Sequence, residues 1–156
     1  MNQPNRNQKF NKADQEFADK VVQIKRVSKK TKGGNQISFT ALVVTGDKIN
    51  RVGVGLGKAK NVSDAIKKAV SRGRKSLITL KFKDGTIPSS IKYKFKGAII
   101  LLRPGKPGSG LIAGGPVRAV AELAGVKDIV SKIIASKNKS INVWATFKAL
   151  AIIAQK

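Results

Sequence analysis

The chain has 156 residues, 32 of them Lys or Arg and only 8 Asp or Glu, giving a formal charge of +24 with no histidine and no cysteine. The two missing residue types exclude disulfides, zinc-finger spacings, a thiol nucleophile and every His-dependent acid–base or triad mechanism. Hydrophobic residues at 41% predict a globular chain of one ordinary domain or two small ones, and its self-repulsion calls for a polyanionic partner such as nucleic acid.

Residues 1–19 read as a mobile polar tail, Asn/Gln-rich to residue 12, in which Phe10, Ala13 and Phe17 have the spacing of one helical turn. The tail lacks an apolar signal core, and Asp14, Glu16 and Asp19 argue against an organellar transit peptide, so a cytoplasmic protein is expected. No apolar run approaches the roughly 18 residues of a membrane span; Ala98–Leu102 is among the longest, and no membrane partner is expected.

Two strands come next, KVVQIKRV (20–27) and QISFTALVV (36–44), the second placing Ile37, Phe39, Ala41 and Val43 on one face. The segment SKKTKGGN (28–35) between them reads as a hairpin connection, and TGDKIN (45–50) as a turn into a third strand, RVGVGLGKAK (51–60). Asn61 then caps a helix with Asp64 at its third position and an apolar stripe of Val62, Ala65, Ile66, Ala69, Val70 and Leu77. Lys67, Lys68, Arg72, Arg74 and Lys75 fall mostly off that stripe.

Asp84-Gly85 and Pro88 mark a boundary between domains at 20–84 and 85–156. In the second, IKYKF (91–95) and AIILLR (98–103) read as strands, and PGKPGSGLIAGG (104–115) as a Gly/Pro-rich loop. A helix follows, with Pro116 at its first position and Gly125 past its end. DIVSKIIAS (128–136) reads as a strand on its β-branched content, although Ile129, Val130, Ile133 and Ile134 also suit a helix. Ser140 caps a last helix with a stripe of Val143, Trp144, Phe147, Leu150, Ala151 and Ala154.

The glycines of RVGVGLGKAK fall at 53, 55 and 57, which matches neither the G-x-G-x-x-G dinucleotide fingerprint nor a Walker loop. A period of two belongs to a strand, and it leaves one strand face bare for close approach, either of a partner or of another part of the chain. The run into Lys58 and Lys60, ahead of a helix N-terminus, favours a phosphate-bearing partner. On that reading Gly55→Val keeps thermal stability and impairs assembly.

A strand passing through glycines into lysines and a helix resembles double-stranded-RNA-binding modules. The longer segments RVSKKTKGGNQISFTALVVTGD (26–47), RVGVGLGKAKNVSDAIKKA (51–69) and GSGLIAGGPVRAVAELAGVKDI (108–129) resemble the bacterial-type family of the fifth protein of the small ribosomal subunit, over about residues 20–150. The resemblance implies an α+β chain. Its N-terminal domain would hold three strands and a helix, similar to the double-stranded-RNA-binding fold, and its C-terminal βαβα domain a left-handed crossover.

The implied role is a structural component that binds small-subunit rRNA, contacts neighbouring ribosomal proteins, chiefly the fourth, and lines the path by which mRNA enters. Support for decoding accuracy and for unwinding mRNA comes with it. The Lys32-Gly33-Gly34 hairpin would reach toward head rRNA, and the segment around Gly110 and Arg118 would face the fourth protein. Charge pattern and resemblance together nominate Lys25, Arg26, Lys29, Lys30, Lys32, Gly33, Gly34, Arg51, Gly53, Gly55, Gly57, Lys58, Lys60, Lys67, Arg72, Arg74 and Lys75 for RNA. Gly110, Gly114, Gly115 and Arg118 are nominated for the protein interface. Asn35 and Gln36 stand where the family often has arginine, and Ser63 where it often has proline.

Two other readings compete. PGSGLIAGGP (107–116) has a faint likeness to the phosphate loop of small-molecule kinases, but the acids near it reduce to Glu122 and Asp128, too few for magnesium-dependent phosphoryl transfer. No enzyme activity, cofactor, metal or small-molecule substrate is therefore expected. A free double-stranded-RNA-binding protein would use the same 20–80 region, with its fifteen Lys/Arg, but would leave the second domain without a purpose.

Overall fold

The computed structural model describes residues 17–155. The first half builds an antiparallel sheet in the order β1 (Ala18–Thr31), β2 (Gly34–Gly46), β3 (Arg51–Ala59), β4 (Ile78–Thr79), with helix α1 (Val62–Lys75) between β3 and β4 in sequence. The second half contributes β5 (Ile91–Phe95), β6 (Ala98–Pro104), β7 (Leu111–Ile112), α2 (Gly115–Ala124), β8 (Ile129–Ala135) and α3 (Lys139–Ala154). Its sheet runs β5-β6-β8-β7, antiparallel except for the parallel β7/β8 pair that α2 bridges. This is the α+β architecture expected from the sequence. No described helix is long and apolar enough to cross a membrane.

Several expectations change in detail. The strand reading of 128–136 holds, but β4 and β7 are additions of two residues each. The hairpin connection expected over 28–35 is mostly strand: pairing continues to Thr31↔Gly34, leaving Lys32 and Gly33 as the turn. Gly34 makes that possible with φ +128°, a backbone angle that suits glycine, and Thr31 Oγ1 donates to its carbonyl at 2.8 Å. Of the tail expected through residue 19, Ala18 and Asp19 already belong to β1, while Phe10 and Ala13 lie outside the described residues.

The helix ends differ by a residue or two. Gly114 is the N-cap of α2, which puts Pro116 at the second helical position, and Gly125 closes the helix in a left-handed conformation. In α3 the cap is Asn138, whose side chain accepts from the Ser140 N–H. Asn61 does occupy the cap position of α1, but its side chain makes no capping bond and instead donates weakly to Asp64 at 3.5 Å.

β2 explains how the layers join. Its end is buried on both faces, so Ala41–Val44 is a continuous apolar run and not an alternating one. Ala41 and Val43 pack against Ala65 and Ala69 of α1. Leu42 and Val44, with Val52 and Val54, face the other way into a core shared with Ile100, Leu102, Val117, Val120, Ile129, Val143 and Leu150. The two halves of the chain are therefore welded by one apolar core. That core surrounds α3, so the single stripe expected there is wrong: Asn142, Ala145, Thr146, Ala149 and Ile153 are buried as well.

Candidate nucleic-acid interface

The hairpin of β1 and β2 outruns the core. Every residue from Ile24 to Ile37 is exposed, and the part exposed on both paired strands, Ser28–Thr31 with Gly34–Ile37, carries the tip roughly 14 Å beyond the packed layers at ~3.4 Å per residue. The pairing puts Lys25 opposite Thr40 and Lys29 opposite Gln36 on the face away from α1, and Arg26 opposite Phe39 and Lys30 opposite Asn35 on the other. Lys58 also pairs with Thr40 and lies on the face away from α1, in one row with Lys25. Lys32 crowns the turn. Cations thus decorate both faces of a two-stranded arm, and all of the arm's cations sit on β1 or at the tip. Asn35 and Gln36 gain a physical rationale here: arginine at either position would set like charges directly across the strands.

The three glycines of β3 have a different purpose from the one expected. Gly53, Gly55 and Gly57 pair with Thr45, Val43 and Ala41, the face of the sheet that α1 covers, and all three are buried. A Cβ on Gly55 would meet the Ala69 carbonyl oxygen and, at 2.6 Å, the Gly73 nitrogen; one on Gly57 would meet the Ala65 oxygen and, at 2.6 Å, the Ala69 nitrogen. A Cβ on Gly53 would strike the Gly73 carbonyl. The bare face is filled by the backbone of α1, which removes these three glycines from the RNA contacts. Gly73, buried in α1, completes the fit, since a Cβ there would sit 3.0 Å from Thr45 Oγ1. Its sequence signal was a glycine inside a helix, which costs about 1 kcal/mol relative to Ala unless packing requires it.

The outer edge of β3 is sealed by the same helix. Arg72 Nη1 donates to Leu56 O at 2.7 Å and Ser76 Oγ to Val54 O at 3.0 Å, satisfying carbonyls that would otherwise form an open sheet edge. Lys60 precedes the α1 cap and, with Lys67, Lys68 and Lys75 on the helix, stays exposed, whereas Arg72, though exposed, reaches back to the β3 edge. Lys58 and Lys60 do not converge on the helix N-terminus, because Lys58 projects from the opposite face of the sheet.

Arg51 and Arg74, also expected to reach RNA, are engaged internally. Arg51 Nε donates to Asp47 Oδ2 at 2.8 Å, Arg74 Nη2 to Asp19 Oδ2 at 3.2 Å, and both guanidinium groups stack on the Phe17 ring, 4.9 and 5.9 Å from its centroid. Asp47 organises the β2–β3 turn: Oδ1 accepts the backbone N–H groups of Ile49, Asn50 and Arg51 at 2.9–3.0 Å. Burial works to raise its carboxyl, but the Arg51 side chain and those three N–H groups outweigh it and hold the pKa at about 2, below the ordinary 3.8. The turn docks on the end of α2 through Lys48 N–H to Leu123 O at 3.0 Å.

The nominated protein-interface residues cluster at the approach to α2. Gly110, at φ +69°, donates its N–H to Asp128 Oδ1 at 2.7 Å and accepts from Ile129 N at 3.2 Å. Asp128, only 8% exposed, is thus a loop clamp, and its carbonyl accepts from Thr86 Oγ1, which in turn receives the Gly105 N–H at 3.2 Å. Gly114 and Gly115 are exposed, as is Arg118, whose side chain makes no hydrogen bond or ion pair among the described residues. One turn on, Glu122 pairs with Lys20 of β1 at 2.7 Å. The Lys20 hydrogen bond pulls the Glu122 carboxyl below its usual range against a smaller opposing effect of burial, helped by the Lys20, Arg118 and Lys48 charges.

Comparison with known proteins agrees with this architecture. Residues 17–81 match the family model described as ribosomal protein S5, N-terminal domain, and residues 93–155 match ribosomal protein S5, C-terminal domain. The chain is 50% identical over 139 residues to the small ribosomal subunit protein uS5 of Treponema pallidum (strain Nichols), covering 88% of this chain and 80% of that one. It is 45% identical over 146 residues to the uS5 protein of Campylobacter jejuni (strain RM1221), covering 94% and 98%. With both family models matched in order on two halves of one welded fold, the chain belongs to the ribosomal protein S5 family.

Proposed function

We propose that the chain is a non-catalytic constituent of the small ribosomal subunit in the cytoplasm, and that it grips rRNA with the β1–β2 arm. The observation that carries this reading is the arm itself. It projects beyond the core with Lys25, Arg26, Lys29, Lys30 and Lys32 exposed on both faces and at the tip, and no acidic residue lies between Lys20 and Gly46 to neutralise them. Exposed lysines on a narrow ribbon suit phosphates on either side of a groove. Lys60, Lys67 and Lys75 on the exposed side of α1 form a second, flatter phosphate surface, and Arg72 adds its charge from the β3 edge that it caps. Gly33 and Gly34, without side chains, let the tip lie close to the nucleic acid.

Replacing Lys29, Lys30 and Lys32 together with Ala should weaken rRNA binding by about tenfold or more and lower the salt dependence of binding by about three units of slope, one per phosphate contact. The unfolding midpoint should hold, because exposed side chains away from packing contribute within about 0.5 kcal/mol. Filter binding across a salt series reads both quantities. Equal affinity and slope for variant and parent would remove the arm from the interface.

Arg118, with Gly114 and Gly115, is the proposed contact to the fourth small-subunit protein, and through it to decoding accuracy and the mRNA path. An exposed cation in the first turns of α2 opposes the helix dipole at a cost of about 0.3–1 kcal/mol, which an acidic or carbonyl group on a neighbour would offset. Gly110 supports this surface from inside, through Asp128. Arg118→Ala should leave affinity for isolated rRNA unchanged while weakening contact with the neighbour and raising miscoding. Unaltered fidelity with reduced rRNA affinity would instead assign Arg118 to phosphate.

A further inference from the structure

An open strand edge and a groove run along β8. β7 pairs with β8 only at Leu111↔Ile129 and Ile112↔Val130, so among the described residues no strand lies beside that edge of β8 from Ser131 to Ala135. The Ile129 N–H donates to Gly110 O on this side, and strand alternation directs the Ser131 carbonyl and both backbone groups of Ile133 the same way, past the last rung of the β7/β8 ladder. The groove follows the edge, lined by Pro116, Ile133, Ile134, Ala135, Lys137 and Asn142.

Asn142 lies beneath the groove. It is 2% exposed, and its Nδ2 donates to Ser136 O at 3.0 Å, yet its Oδ1 accepts from nothing among the described residues. That buried acceptor costs about 1–3 kcal/mol and holds Asn142 as a fixed floor beneath the groove. Ile134, 52% exposed, leaves a large apolar side chain at the rim. Lys137 and Lys139 line the same groove, Lys132 is exposed on β8 two residues before Ile134, and no acidic residue follows Asp128 in the sequence.

We propose that the open edge of β8 takes up an extended acidic segment of a neighbouring protein as an added strand. An unpaired backbone edge is best completed by another backbone, pockets beside it select alternate side chains, and the lysine rim selects for Asp and Glu. RNA fits less well, because Pro116, Ile133 and Ile134 offer aliphatic surface and the groove holds no aromatic ring on which a base could stack. The site lies apart from the arm and goes beyond the Arg118 contact.

The test uses assembled small subunits carrying the full chain with benzoylphenylalanine in place of the exposed Ile134. Irradiation should crosslink the chain to an Asp/Glu-containing segment of one protein. Lys137→Glu with Lys139→Glu should reduce that product about tenfold, since like charges then face each other. Hydrogen exchange at the Ile133 amide should be on the order of 100-fold slower in the subunit than in the free chain. Crosslinking to rRNA, to no protein or to a segment without acidic residues overturns the proposal. So does a charge reversal without effect, or equal exchange at Ile133 in both states. Parallel subunits with benzoylphenylalanine in place of Lys32 report on the arm separately: loss of their rRNA crosslink counts against the arm and leaves β8 untouched.

Discussion

Gly55→Val should destabilise the chain by more than about 4 kcal/mol, most or all of the stability of an ordinary small domain. Judged locally the change looks favourable, because valine suits a strand and glycine weakens one. The tertiary contact reverses the sign. A Cβ at position 55 points at the Ala69 carbonyl and comes within 2.6 Å of the Gly73 nitrogen, so the obstacle is helix backbone and not a side chain that could swing away. To admit an isopropyl group α1 must lift from the sheet. That uncovers Ala41, Val43, Ala65 and Ala69 and pulls Arg72 and Ser76 from the carbonyls they cap.

Gly33→Ala is the matched control, since a Cβ there has nothing within 4 Å, and it should change stability by no more than about 0.5 kcal/mol. Urea midpoints of the two variants decide the matter. A Gly55→Val protein that melts with the parent but fails to assemble would return the glycine face to an external partner.

Asp47→Ala should cost about 3 kcal/mol, although the residue lies in a turn. The side chain is only 4% exposed and its two oxygens accept three backbone N–H groups and the Arg51 Nε. Removing it leaves those donors unsatisfied, and the turn they shape also carries the Lys48 contact to Leu123 and the Asn50 carbonyl that accepts from Leu80 at 2.8 Å. The loss therefore loosens the weld between the two halves of the chain.

The same carboxylate makes stability depend on pH. Its folded pKa of about 2 lies below the ordinary 3.8, so the stabilisation is fully present above the ordinary value and is lost as pH falls through the folded one. The difference corresponds to about 2 kcal/mol. Denaturation of parent and Asp47→Asn between pH 6 and pH 2 should show the stability gap narrowing by about that amount toward the acid end. Parallel profiles would mean that Asp47 is an ordinary surface carboxylate.

Local chemistry determined a good deal of this protein. Alternating and β-branched runs marked β1, β2, β5, β6 and β8, a 3.6-residue stripe marked α1, and the Gly/Pro bracket marked α2, because each signal depends only on neighbours within a few residues. The charge of +24 and the fifteen Lys/Arg of residues 20–80 likewise pointed to a polyanion without any coordinates. The arm's length did not follow, because Ser28–Asn35 is polar and glycine-containing like any loop, and pairing across the strands is what makes it sheet.

The rest was decided by what lies across the fold. Period-two glycines say that something approaches a strand closely but not what, and only the seating of α1 shows that the visitor is the chain's own helix. Arg51 and Arg74 look in sequence like any other cations; Phe17, Asp19 and Asp47 claim them because the sheet brings β1, the β2–β3 turn and α1 together. α3 has no single apolar stripe to find, since elements from both halves surround it. Composition and periodicity record what each segment prefers, whereas the identity of its partner is a long-range fact, set when the two sheets close over one core.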